Sequence, residues 1–489
     1  MTRRTTLAAI AAATAVGVLL RLHFLSVPLN TDEGGFAAVA RMWRQGYELY
    51  GDVAWVDRPQ GLLVLFRLAG LDGGDEAFRV LAILAALLTL VAVAAAAWAV
   101  AGRAAAVAAA GLYAVLSPAP HLEGFTANGE LLATAATTSA VALGAWWSVN
   151  HDQRLLLLAG IAASTGVLTK QAAVDGLVAV GALVLADAWR RRRNPLRDLV
   201  VFASGAAVPL ALAFLHGLAI GLDDWWFAVA SHRTQMDSLI NGLYDTHRAE
   251  FFQSLGPFRR DLGLLMPLAV VGLVAVARRH RLTLPLVWLL TATFGVAVGG
   301  VFHPHYWVQV AAPLALLAAL GLDLVATRWR AAARVLGAVA LVVPLAYSIP
   351  VYTARTADRV SELTSADPRH VAAQEVGEAV AAITEPDERV AVLWTNAAIY
   401  WYADRASPFR HMWFAPLRDF EGAAEIARAT IIGPGPPPAA IVVATEPTAF
   451  DPDGQIARLL ARRYRLVDVV AGNRIYRLRP ALPEQPSVP

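Results

Sequence analysis

Residues 282–322 read LTLPLVWLLTATFGVAVGGVFHPHYWVQVAAPLALLAALGL, a stretch without Asp, Glu, Lys or Arg. A helix that crosses a bilayer needs about 20 mostly apolar residues, so this run is about twice what one span can use. His303-Pro304-His305 interrupts it, and proline within a helix removes a backbone donor and breaks or kinks the helix. The run therefore divides into two spans. Working outward, further uncharged runs fall at 5–20, 80–102, 104–122, 131–151, 155–169, 199–222, 262–277 and 335–354. Residues 171–189 form a weaker span, interrupted by Asp175 and Asp187. The chain reads as an α-helical multi-pass membrane protein with about eleven transmembrane helices.

Composition agrees with that reading. Of 489 residues, 57% are hydrophobic and 16% charged, against about 25% charged in an ordinary soluble domain. The net charge of +3 is spread along the chain, which excludes a nucleic-acid binder, since that needs a concentrated basic face. Cysteine is absent, so thiolate metal sites, thiol redox chemistry, a Cys nucleophile and disulfides are all excluded.

Basic residues collect in cytoplasmic loops near span ends. Placing Arg3 and Arg4 inside also places Arg103, Arg154, Arg190 to Arg193, the basic run 278–281 and Arg328, Arg330 and Arg334 inside. The outer connections are then 26–78, 119–129, 168–171, 221–261 and 302–305, with everything after 354. The protein is expected in the cell membrane, N-terminus cytoplasmic. No small-residue cleavage site follows the first span in Arg21-Leu22-His23-Phe24-Leu25, so it reads as an uncleaved anchor. Two parts follow: a membrane domain over 1–354 and an extracytoplasmic α/β domain over 355–489. In the second, strands are expected at 389–394, 409–413 and 439–443, and helices at 397–403, 419–430 and 456–463. A hairpin of 466–470 and 474–478 around Ala471-Gly472-Asn473 closes the domain.

The first outer loop, 26–78, is the richest in ionisable groups. Phe36, Val39, Ala40 and Trp43 recur at helical spacing, which predicts an amphipathic helix on the membrane face. Asp32 and Glu33 stand directly ahead of it, where a carboxylate caps free backbone N–H groups. Further on, Asp57-Arg58-Pro59 puts a carboxylate and a guanidinium beside a proline at the membrane surface.

Thr31-Asp32-Glu33, Ala37-Ala38-Val39-Ala40, Leu49-Tyr50-Gly51-Asp52-Val53 and Asp57-Arg58-Pro59 resemble the first periplasmic loop of the GT-C membrane glycosyltransferases. The branch they resemble most contains the protein O-mannosyltransferases and the lipid A aminoarabinose transferase, that is, glycosyltransferase family 39-like proteins. Asn128-Gly129-Glu130, Gly166-Val167-Leu168-Thr169-Lys170, His303-Pro304-His305-Tyr306 with Pro313, and Trp394-Thr395-Asn396 with Tyr400 add to the likeness, in order, over nearly the whole chain. The family usually reads Asp/Glu-Lys-Pro-Pro where this chain has Asp57-Arg58-Pro59-Gln60. Arg58 still supplies a fixed charge and a bidentate fork for phosphate, while Gln60 alters the loop.

The resemblance implies a glycosyltransferase that moves a sugar, with inversion, from a polyprenyl-phosphate donor to an envelope acceptor: protein, lipid or polysaccharide. Such chemistry needs a carboxylate to take the acceptor's proton and cations to stabilise the leaving phosphate. Asp32 is the implied general base, Glu33 its alternate, and Asp57 a candidate for acceptor contact. Arg58, Lys170, His303, His305 and Tyr306 are candidates for the donor phosphate. Glu123, Glu130, Arg233 and Arg248 are secondary candidates. Each has a plainer reading: a snorkelling interfacial lysine, aromatic-belt anchors, or solvated loop acids. Lys170 is the one lysine among 41 basic residues, and it falls at an outer corner. His303 and His305, two apart, are not a helical ligand pair, so no cofactor is expected, a divalent metal being the disfavoured alternative. The competing class is a flippase or transporter of polyprenyl-linked saccharides. That would call for ionisable groups near mid-membrane and repeat-related broken spans, whereas here the charges gather at the outer surface.

Overall fold

The computed structural model describes residues 1–71, 74–232, 245–278, 283–298, 302–364, 372–393, 396–443, 451 and 453–480. A helix stands at each of the eleven apolar runs: Arg3–Leu22, Asp75–Ala101, Arg103–Leu116, Gly129–Asn150, Gln153–Thr169, Asp175–Arg191, Leu196–Ile220, Leu265–Arg278, Thr283–Val298, Val308–Ala326 and Arg330–Tyr347. The 282–322 run is broken where His303-Pro304-His305 predicts, by a 3-10 turn at Pro304–Trp307. Among the described residues, five helices are long and apolar enough to cross a membrane by themselves. A sixth span results if Arg248–Asp261 and Leu265–Arg278, bent by 80°, are counted as one. The helix Asp175–Arg191 is partnered at both its acids. Asp175 accepts from Trp288 Nε1 at 2.9 Å and Gln309 Nε2 at 3.0 Å, and Asp187 pairs with Arg191 and Arg193. Gln60–Ala69, within the expected first outer loop, is a short apolar helix.

The chain forms two compact units. The first comprises Met1–Pro28, Asp57–Ala230 and Leu239–Ala366; the second comprises Leu29–Val56, Ser231–Ser238 and Asp367–Pro489. Part of the first outer loop thus belongs with the C-terminal chain. In the helical unit, glycines set the closest crossings. A Cβ on Gly272 would lie 1.9 Å from the Leu317 carbonyl oxygen, and one on Gly321 would lie 2.2 Å from that of Leu268. Small residues let membrane helices approach until their backbones touch. Gly272→Val is therefore expected to cost roughly 1–3 kcal/mol or more from overpacking, read as a lower melting temperature in detergent. An unchanged melt would show that the crossing tolerates a side chain.

The second unit holds a four-stranded sheet. β1 (Val390–Leu393) runs parallel to β2 (Ala440–Val443). Then β4 (Asn473–Leu478) pairs antiparallel with both β2 and β3 (Tyr464–Val470). The β3–β4 turn is Ala471-Gly472, with φ of +46° and +82°. A two-residue turn with both φ positive matches the twist of a hairpin, and glycine meets that demand without a steric penalty. Ala391, Leu393, Ile441 and Val443 of the sheet pack on Leu417, Ala427, Ile431, Ile456 and Leu460 of its helices. Two expectations need correction here. Residues 409–413 are not a strand: Ser407 Oγ binds both Phe409 backbone groups, and the side chains that follow reach to other segments. The expected helix at 419–430 is two helices, Phe414–Asp419 and Ala423–Ile432, because Gly422, at φ +75°, turns the chain between them.

Candidate functional site

In the helical unit, three distant segments converge on Lys170. The helix Gln153–Thr169 ends there because Lys170 turns extended, at φ −150° and ψ 124°. Its side chain is buried, and Nζ forms an ion pair with Glu130 Oε1. Glu130 is presented from the first turn of Gly129–Asn150, which Asn128 caps by accepting the Leu131 N–H at 2.8 Å. Lys170 Nζ also lies 4.0 Å from the Tyr306 ring centre, a cation–π contact. His305 stands between the two acids, Nε2 at 3.8 Å from Glu130 and Nδ1 at 3.8 Å from Glu123. His303 stacks on His305, with ring centres 5.6 Å apart and 15° between planes. The Lys170 side chain is thus held in a buried ion pair, and that of Glu130, 4% exposed, is not solvated.

The loop carrying Glu123 is held under backbone strain. Ala119 and Glu123 adopt φ of +34° and +53°, a region that costs energy for residues other than glycine and persists only where the surroundings over-determine it. Two buried groups do so. Arg21 Nη2 donates to the Ser117 and Gly124 carbonyls at 2.8 and 3.0 Å. The Asp261 carboxylate accepts from the backbone N–H of His121 and Leu122 at 2.9 and 3.2 Å, and it meets His121 Nδ1 at 2.7 Å. Neither pin was legible in the sequence.

Asp57 and Arg58 lie on the same corner as Lys170. They pair at 2.6 Å, and Gln171 Nε2 donates to the Asp57 carbonyl at 2.9 Å. A Cβ on Gly61 would come within 2.5 Å of the Leu168 carbonyl oxygen. Gln60, which follows Asp57-Arg58-Pro59, donates through Nε2 to the Ala213 carbonyl at 2.8 Å. Gln60 is thus a pin onto the helix Leu196–Ile220.

Asp32 and Glu33 belong to the second unit, in the first turn of Thr31–Arg44. The N-cap is Asn30. Its side chain accepts the Glu33 N–H at 2.9 Å, while the Glu33 carboxylate accepts the Asn30 N–H at 3.3 Å, a reciprocal capping box. Capping explains Glu33, which is fully buried. Asp32 is half-buried and accepts from Trp413 Nε1 at 3.2 Å. The helix is not an amphipathic surface helix, because every residue from Glu33 to Met42 is buried. Arg41 donates to the carbonyls of Tyr400, Trp401 and Arg405. Burial lowers its pKa to about 10, opposed by the nearby Asp404, so it remains a cation at neutral pH.

Arg233 lies outside the described residues, as do Trp394 and Thr395 of the family-like C-terminal motif. Arg248 is exposed, its guanidinium 5.9 Å from the Phe252 ring centre; among the described contacts, none joins it to the Lys170 group. Among the described residues, no three or more His, Asp or Glu are arranged to hold a metal ion.

No protein-family model matches the chain, and no curated protein does. Its likeness is to solved structures. The crystal structure of ArnT from Cupriavidus metallidurans bound to undecaprenyl phosphate superposes with a TM-score of 0.62 at 15% identity, covering 97% of this chain and 98% of that one. The archaeal oligosaccharyltransferase AglB from Archaeoglobus fulgidus, in complex with an inhibitory peptide and a dolichol-phosphate, gives 0.56 at 14% identity, covering 89% and 69%. The chain has the fold of the GT-C membrane glycosyltransferases.

Proposed function

We propose that this protein is an integral membrane glycosyltransferase that moves a sugar, with inversion, from a polyprenyl-phosphate carrier to an extracytoplasmic envelope acceptor. The observation that carries the reading is the Lys170 group: six polar and aromatic side chains from three distant segments, gathered in a fold whose solved examples include one bound to undecaprenyl phosphate. In this reading the acceptor hydroxyl attacks the anomeric carbon from the face opposite the phosphate. Its proton passes to the Asp32 carboxylate as the bond from carbon to the phosphate oxygen breaks. The leaving polyprenyl phosphate takes the electron pair and is stabilised by Arg58 and Lys170, with His303, His305 and Tyr306 around the lysine. Glu33 is the weaker base because its carboxylate is engaged in the cap. Asp57 is assigned to acceptor contact, Glu123 and Glu130 to holding the cations, and Arg233 and Arg248 to a secondary role.

Eleven spans, a cytoplasmic N-terminus, a membrane domain over 1–354 and an extracytoplasmic domain over 355–489 complete the proposal. It is tested by offering the purified protein a panel of undecaprenyl-phosphate sugars with envelope acceptors. Release of undecaprenyl phosphate coupled to glycosylated acceptor, surviving in chelator, is the expected result. Movement of an intact lipid-linked saccharide across proteoliposomes, with no transfer, would instead make the protein a flippase.

A further inference from the structure

We infer that Trp413 is a positioning residue for Asp32, holding the carboxylate in its reactive orientation; this rests on the reading of Asp32 as the base. The indole Nε1–H donates to Asp32 Oδ1 at 3.2 Å. A donor to a carboxylate fixes its rotation, and so the direction in which its free oxygen faces. The sequence around both residues is shaped to permit the contact. Asp32-Glu33 is followed by two glycines, and neither position has room for a side chain. A Cβ on Gly35 would fall 2.3 Å from Trp413 Cζ2 and 2.9 Å from Cε2, and one on Gly34 would fall 2.3 Å from the Ala398 Cβ. The indole thus lies flush against the helix backbone one turn from Asp32, and it also meets the Phe36 ring, tilted by 40° with ring centres 5.7 Å apart. The segment that delivers Trp413 is held by its neighbours: Arg410 Nη2 donates to the Tyr50 carbonyl at 2.9 Å, and the His411 ring meets Trp55 edge-on at 4.6 Å. This accounts for residues 409–413 leaving the sheet. Arg410, His411 and Trp413 reach the first outer loop, while Phe409 packs into the core of the sheet.

The test uses full-length protein in detergent with an undecaprenyl-phosphate sugar. Trp413→Phe keeps the ring and removes the donor. It is expected to lower kcat about 10–100-fold, the scale of a misplaced catalytic group, with KM for the donor and the melting temperature unchanged. Gly35→Ala, which displaces the indole while leaving Trp413 in place, should act in the same direction and serves if Trp413→Phe does not fold. With isotope-labelled tryptophan, the indole N–H resonance that Trp413→Phe removes should move in Asp32→Asn. An unmoved resonance overturns the inference, as does wild-type kcat in Trp413→Phe. Turnover that persists in Asp32→Asn overturns the base assignment itself, and the inference with it, even where the resonance moves.

Discussion

Asp32→Asn is expected to lower sugar-transfer turnover by roughly 10²–10⁴-fold, the usual contribution of a general base, while the protein stays folded. The two halves of that expectation have separate physical grounds. Asparagine keeps the shape of the side chain and a carbonyl that can still accept from the Trp413 indole, but it has no basic oxygen to take the acceptor's proton. The fold should be indifferent, because the helix Thr31–Arg44 is capped by Asn30 and Glu33 and not by Asp32. The opposite pattern is expected at the neighbour. Glu33→Gln weakens one half of the capping box and should cost about 1 kcal/mol of stability with turnover largely retained. Steady-state kinetics and thermal melts on the two variants check the pair together. If Asp32→Asn keeps most of its turnover while Asp57→Asn loses it, the base is Asp57.

Those adjacent acids also show what a sequence can and cannot disclose. That a helix follows Asp32-Glu33 was legible from the recurrence of Phe36, Val39, Ala40 and Trp43, because helical periodicity is a local property. Which of the two acids caps it was not, because the decision falls to Asn30, six residues before Phe36, where the visible pattern begins. The apolar runs located eleven helices because a continuous apolar stretch is visible in the sequence itself, whatever it later packs against. The helix Gln60–Ala69 escaped because ten residues is too short for that signal. Glu123, Glu130, Lys170, His305 and Tyr306 could be named one by one, but their convergence is long-range and leaves no spacing to read. Arg21, Asp261 and Trp413 left no sign at all. Each acts on a backbone or carboxylate more than 90 positions away in the chain, and nothing near them in sequence hints at it.

The Lys170–Glu130 pair supports the second large expectation, because its structural and chemical roles can be separated. Both side chains are buried, 7% and 4% exposed. Lys170→Met leaves the Glu130 carboxylate without its cation, and Glu130→Gln does the reverse. Removing one member of a buried pair costs about 3–5 kcal/mol, whereas replacing both by uncharged residues of similar volume is often neutral. Either single variant should therefore melt well below the wild type, and Lys170→Met/Glu130→Gln should recover most of the loss. Turnover should not follow stability. If Lys170 stabilises the leaving phosphate, the double variant remains impaired by 10²-fold or more, on the order expected when a charge-stabilising group is removed. Its binding of undecaprenyl phosphate should weaken as well, since a ground-state phosphate meets the same cation. A double variant that recovers both stability and turnover would reduce the pair to a structural tie between Gln153–Thr169 and Gly129–Asn150. Arg58, on the same corner through Asp57 and Gln171, would then be the cation that carries the phosphate.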